Sequence, residues 1–141
     1  MLETKLPSLL SQYISNLSLE RHDIGSEIIN KPPNTNVTGD YKVQNLETPT
    51  PKIVIALKVE ISYEEQLALM LKIEYVANVN TQEAPPSEIN TFLYLEYPPI
   101  LLTEIRQIVA NLTEVSGLHK VLIDPWGVSR EIIKEIEKGD S

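Results

Sequence analysis

Lys52-Ile53-Val54-Ile55-Ala56-Leu57-Lys58-Val59-Glu60-Ile61-Ser62 decides the fold. Ile53, Ile55, Leu57, Val59 and Ile61 alternate without error, while Lys52, Lys58, Glu60 and Ser62 point the other way. A strict period of two over this length predicts a β-strand with one buried face. Tyr63-Glu64-Glu65-Gln66 is a polar turn, and a second alternating run follows it. There Leu67, Leu69, Leu71, Ile73 and Tyr75 point inward and Gln66, Lys72 and Glu74 outward. So short a link rules out a parallel crossover, and the two runs form an antiparallel hairpin.

Upstream, residues 37–46 read as another strand, with Val37, Tyr41 and Val43 on one face, closed by Pro49 and Pro51. Residues 13–21 read as the first strand. Between the two, residues 22–36 form a long loop punctuated by Gly25, Pro32 and Pro33, a length that suits a crossover or a functional segment. Residues 1–12 read as an arm.

Downstream of residue 80 the period changes. Pro85-Pro86-Ser87 marks a helix start with Ser87 as its cap. Pro98-Pro99 then restarts a longer helix over about 99–116. Its stripe of Leu101, Ile105, Ile108, Leu112 and Val115 suits an oligomer interface, and Leu102 and Val109 widen it to a second face. Gly117 ends that helix. Asp124-Pro125 opens a last one, with Val128, Ile132, Ile133 and Ile136 on one side and a frayed tail over 138–141. Strands followed by helices imply an α+β fold in one domain spanning 1–141, with helices packed on one side of a four-stranded antiparallel sheet.

Composition narrows the function. The 141 residues carry 12 basic and 20 acidic side chains, a formal net charge of -8. The basic residues are scattered, which argues against nucleic-acid binding and anionic lipid. With no cysteine, disulfides, thiolate metal sites and cysteine nucleophiles are excluded. No apolar run approaches a membrane span, no secretory signal is evident, and a cytoplasmic protein is expected. His22 and His119 lack metal-ligand spacing, Glu64-Glu65 is explained as a hairpin tip, and no catalytic motif is present. Neither an enzyme nor a cofactor is expected. Trp126, Tyr94 and Tyr97 are either packing anchors or the wall of a groove.

Pro98-Pro99-Ile100-Leu101-Leu102, then Arg106, then Val121-Leu122-Ile123-Asp124-Pro125 resemble the SecB family of protein-export chaperones in order and spacing. Asn16-Leu17-Ser18-Leu19-Glu20 is similar to that family's first strand. The resemblance covers about residues 13–137. It implies a four-stranded sheet with a crossover, and a homotetramer built as a dimer of dimers. It also implies ATP-independent holding of unfolded preproteins and their delivery to the SecA motor of the Sec translocon.

Carried onto this chain, the resemblance places a peptide-binding groove at the 22–36 loop with Trp126, Val128, Ile132, Ile133 and Ile136, beside Tyr94 and Tyr97. It places the motor-docking sheet face at Asn16, Glu20, Met70, Lys72 and Glu74. That face is acidic in the family, so Asn16 and Lys72 depart from the pattern. They leave room for a SecB-like chaperone dedicated to one partner, such as an antitoxin. A small hot-dog-type thioesterase is the alternative from another class, and the late position of the helices argues against it.

Overall fold

The structure, a computed structural model, describes residues 6–118. Its elements run β1 (Ser8–Arg21), α1 (Ser26–Ile29), β2 (Asn34–Gln44), β3 (Lys52–Tyr63), β4 (Gln66–Asn80), α2 (Pro86–Thr91), a π-helical turn (Phe92–Glu96) and α3 (Tyr97–Val115). The four strands form one antiparallel sheet in the order β1-β4-β3-β2. Because β1 and β2 occupy opposite edges, residues 22–33 must cross from one edge to the other. Ile24, Ile28 and Ile29 pack against the core as they do so. This is the crossover, with α1 inside the segment read as a loop. The α+β architecture is as expected from the order of the elements.

The alternation in β3 fixes which face is covered. Ile53, Ile55, Leu57, Val59, Ile61 and Tyr63 are all buried, as are Leu69, Leu71, Ile73, Tyr75, Ala77 and Val79 of β4. Leu93, Tyr97, Leu101, Leu102, Ile105 and Val109 of the helical layer close the same cluster. Each large aliphatic side chain buried here contributes about 1.5–3 kcal/mol by leaving water.

Four details depart from the sequence reading. The first strand begins at Ser8, so the arm is shorter than the 1–12 expected. Leu67 does not point inward. The tight turn pairs Tyr63 with Gln66 and Ser62 with Leu67, but Ile61 pairs with Leu69. Ala68 is the extra residue of a β-bulge, and it is buried where Leu67 was expected. Ser87 is not a cap: α2 starts one residue earlier, on Pro86. Pro85 is held extended by the proline after it, and its carbonyl accepts from the Glu88 and Ile89 amides. Finally, α2 and α3 are not separated by a break. A π-helical turn joins them, and α3 opens with Pro98 and Pro99 in its first turn.

Those prolines explain the π turn. The Tyr97 N–H reaches back five residues to the Phe92 carbonyl. Pro98, which would serve the Leu93 carbonyl in the same pattern, has no N–H to give. The buried Tyr41 hydroxyl on β2 donates to that carbonyl instead. At its other end α3 stops as expected on Gly117, at φ 82°. The Leu118 amide donates to the Thr113 carbonyl and the Gly117 amide to that of Glu114, a Schellman closure that needs a left-handed residue.

Candidate functional site

The edge strand β1 is unlike the rest of the sheet. All 14 of its residues are exposed. From Ser8 to Leu19 it carries no charged side chain. Its outer N–H and C=O groups lie on the sheet's edge, a template for pairing with another strand that natural edges usually blunt with charge or proline. Leu9, Ile14, Leu17 and Leu19 stand opposite Val79, Tyr75, Ile73 and Leu71, so they share the helix-side face of the sheet. Leu17 is nonetheless 43% exposed and Ile14 39%.

Two hydrogen bonds tie the ends of this row to the helical layer. The Tyr97 hydroxyl donates to the Gln12 side-chain oxygen at 3.2 Å. The Arg21 Nε donates to the Ser116 carbonyl at 2.9 Å. Between these ties α3 leaves the row uncovered. Extra residues at Leu10 and Ser15 interrupt the pairing with β4 and bend the strand.

The opposite, open face of the sheet is polar. Asn16 stands across from Glu74, Ser18 from Lys72 and Glu20 from Met70. The five residues expected on a docking face are therefore brought together on three neighbouring rungs. A shallow depression of about 390 Å³ lies beside Asn16, Lys72 and Glu74 and reaches across Ala56 and Lys58 to Asp40, with Glu20 and Met70 outside it.

The aromatic pair divides. Tyr94 sits half-buried on the π-helical turn, edge-on to the Tyr41 ring with centroids 6.2 Å apart. Tyr97 is a core residue and not an open wall: it is 5% exposed and stacks on Phe92 at 5.0 Å. Burial pushes its phenol up to about 12, with the neighbouring Tyr75 and Glu104 adding to the shift. The Tyr41 phenol is raised further, by burial first and by Tyr94 second.

The expected oligomer stripe divides too. Leu101 and Ile105 are wholly enclosed in the protomer's own core and cannot face a second copy. The sheet claims that side of α3, because a small α+β domain has only one helical layer to cover its apolar face. Ile108 and Leu112 are half-buried against the core, and Val115 is 85% exposed. Trp126, Val128, Ile132, Ile133 and Ile136 lie outside the described residues, as does His119. His22 is exposed, 3.9 Å from Glu20. Among the described residues no cluster of His, Cys, Asp and Glu could hold a metal ion, and no helix is long and apolar enough to cross a membrane.

Sequence reasoning placed Leu9 in the supposed arm and gave Ile14, inside the strand read over 13–21, no role. The signal was present in the unbroken absence of charge from Ser8 to Leu19.

Residues 3–128 match the family described as preprotein translocase subunit SecB. The chain belongs to the SecB family. A protein-export protein SecB of Paramagnetospirillum magneticum is 31% identical over 117 residues, covering 81% of this chain and 75% of that protein. The SecB of Zymomonas mobilis is 23% identical over 135 residues, covering 94% and 82%. Among solved structures, the Mycobacterium tuberculosis SecB-like chaperone, in complex with a ChAD peptide from the HigA1 antitoxin, superposes with a TM-score of 0.69. That match covers 84% of this chain and 90% of the other at 11% identity, a likeness of SecB fold. The four-stranded antiparallel sheet with its long helix matches that SecB-like fold.

Proposed function

We propose that this protein is an ATP-independent cytoplasmic chaperone that holds unfolded preproteins in an export-competent state for the Sec translocase, with no catalytic role. Membership of the SecB family supports the reading. Within the molecule, the uncharged, apolar edge of β1 supports the assembly this reading requires, since a stable protein in water keeps such an edge only if something covers it.

In this reading a second copy covers the β1 edge. Two antiparallel edges related by a twofold axis satisfy each other's outer amides and bury both apolar rows at once. Val115 and the half-buried Ile108 and Leu112 extend the contact toward a homotetramer. Clients lie elsewhere, beside Tyr94 and the crossover segment, and the family resemblance adds Trp126, Val128, Ile132, Ile133 and Ile136 to the residues that receive them. Apolar client segments bind there by leaving water at about 25 cal/mol per Å². Several weak grooves on one assembly hold one long chain strongly.

The test is refolding of a chemically unfolded, slow-folding client without nucleotide. A delay at stoichiometric assembly supports the reading, and an unchanged refolding rate refutes it.

A chaperone dedicated to one partner is the second reading. Lys72 favours it, because this cation sits on the face that would dock the SecA motor. Capture of purified SecA by the protein would speak for general export, and failure to capture it while binding one client alone would speak for the dedicated role.

A further inference from the structure

The second edge of the sheet is open. β2 pairs with β3 on every rung from Asn34 to Gln44, with no bulge. A strand in an antiparallel pair spends half its N–H and C=O groups on that partner and turns the other half outward. Among the described residues, none of the outward groups of β2 has a backbone hydrogen-bond partner. No proline interrupts the strand. Its charges, Asp40 and Lys42, stand on the open face 3.7 Å apart, where they offset each other. A straight, unbulged edge of this length is a template for one more strand.

What fills this template differs from what covers β1. The β1 edge exposes large apolar side chains from Leu9 to Leu19, whereas β2 exposes none. Val37 and Val43 are already half-buried against the protomer's own core. A second copy on β2 would add little apolar burial, and a stable interface takes about 1,600 Å² in all. Main-chain hydrogen bonds remain, and any extended polypeptide supplies them whatever its sequence.

Gly39 adds a preference. It pairs with the buried Leu57, so it stands in the helix-side row of β2 between Val37 and Tyr41. Among the described residues the glycine with positive φ is Gly117, so Gly39 does not use the backbone freedom of its type. Its contribution is a missing side chain, which lets another strand approach closely. An aromatic ring on the neighbouring strand is the group that covers such an edge glycine best. The surroundings are aromatic already, with the Tyr41 and Tyr94 rings edge-on at 6.2 Å.

Resting on the chaperone reading, we propose that an extended segment of an unfolded client adds to β2 as a fifth strand, with an aromatic side chain of the client seated over Gly39. The outward groups of β2 supply affinity without regard to sequence, and the glycine gap supplies the aromatic preference. Alternate client side chains continue the row of Val37, Tyr41 and Val43, and those between them face water.

The probe is a fluorescein-labelled nonapeptide of alternating Thr and Val with Trp at its centre, titrated by anisotropy into the full-length protein. It binds, and the same peptide with Ala in place of Trp binds about threefold to fivefold more weakly. N-methylation of one alternate set of its amides weakens binding by at least about tenfold, while methylation of the other set leaves it within about twofold, because only one set faces β2. Gly39→Val fills the gap and erases the preference for Trp while keeping the parent's circular dichroism. If that variant does not fold, Gly39→Ala carries the test, with the preference at least halved. Three results overturn the proposal: equal binding of the two methylated peptides, a Trp preference unchanged by the substitution, or a fall in the assembled mass by light scattering on adding the peptide, which makes β2 a contact between copies. No peptide binding by a protein that still delays client refolding also overturns it, and leaves the chaperone reading standing.

Discussion

Tyr41→Phe removes one oxygen atom and leaves the ring in place. In the parent that oxygen donates to the Leu93 carbonyl, inside the protein and on the π-helical turn. No backbone amide can take over, because the residue five positions on is Pro98. The variant therefore strands a buried carbonyl, which costs about 1–3 kcal/mol. The edge contact between Tyr41 and Tyr94 survives, so the packing contribution is unchanged. For a chain of 141 residues, roughly 3–4 °C of midpoint is lost per kcal/mol, and a loss of about 2 kcal/mol lowers the thermal midpoint by roughly 6–8 °C. Urea denaturation followed by circular dichroism checks the free energy directly, at one fixed protein concentration because assembly adds to apparent stability. A variant within about 0.5 kcal/mol of the parent would refute the argument that this hydroxyl completes a helix the prolines leave short.

Three further outcomes follow from single features. Lys72→Glu replaces a like-charge rung with an attractive one and raises stability by about 0.5 kcal/mol in urea titrations, against the usual direction of substitutions. Tyr97 makes the fold alkali-sensitive. Its folded phenol titrates at about 12 against an ordinary value of 10.0, so between those values the unfolded chain has already released the proton. The unfolded state then binds fewer protons and stability falls as pH rises from about 10 to 12, by about 2 kcal/mol for this group. Tyr97→Phe makes the decline measurably shallower. At the β3–β4 turn, Glu64 and Glu65 have φ of 49° and 68°, left-handed values at which Asn and Gly are at ease. Glu64→Asn/Glu65→Gly raises the urea midpoint by an amount worth about 1 kcal/mol, even though it removes the exposed Lys31–Glu64 pair.

The architecture was readable because burial writes itself into period and order. β3 alternates perfectly since one face meets helices and the other meets water, and strands preceding helices leave few packings. The errors have physical sources. A two-residue turn and two inward-facing alternating runs cannot both hold unless one residue is extra; the bulge at Ala68 reconciles them and sets Lys58 opposite Lys72, where a straight count from the turn sets it opposite Leu71. The Leu101–Ile105 stripe was assigned to a second copy because periodicity reports that a face is apolar, not what covers it. The exposed row on β1 was legible only in part: residues 13–21 read as a strand, but the extra residues at Leu10 and Ser15 break the alternation, so the row did not read as continuous back to Leu9. The departure at Lys72 was visible from the sequence, whereas its partner Lys58 lies on the other strand and only the register joins them.

The central claim is that several copies of this chain hold one unfolded client. Light scattering on a sizing column measures it directly, with the protein alone and then with an equimolar chemically unfolded preprotein, in the absence of nucleotide. The account predicts an assembly of four 15.9 kDa chains that takes up one client and elutes as a single complex of the summed mass. A monomer that leaves the client to aggregate or to elute alone would contradict it.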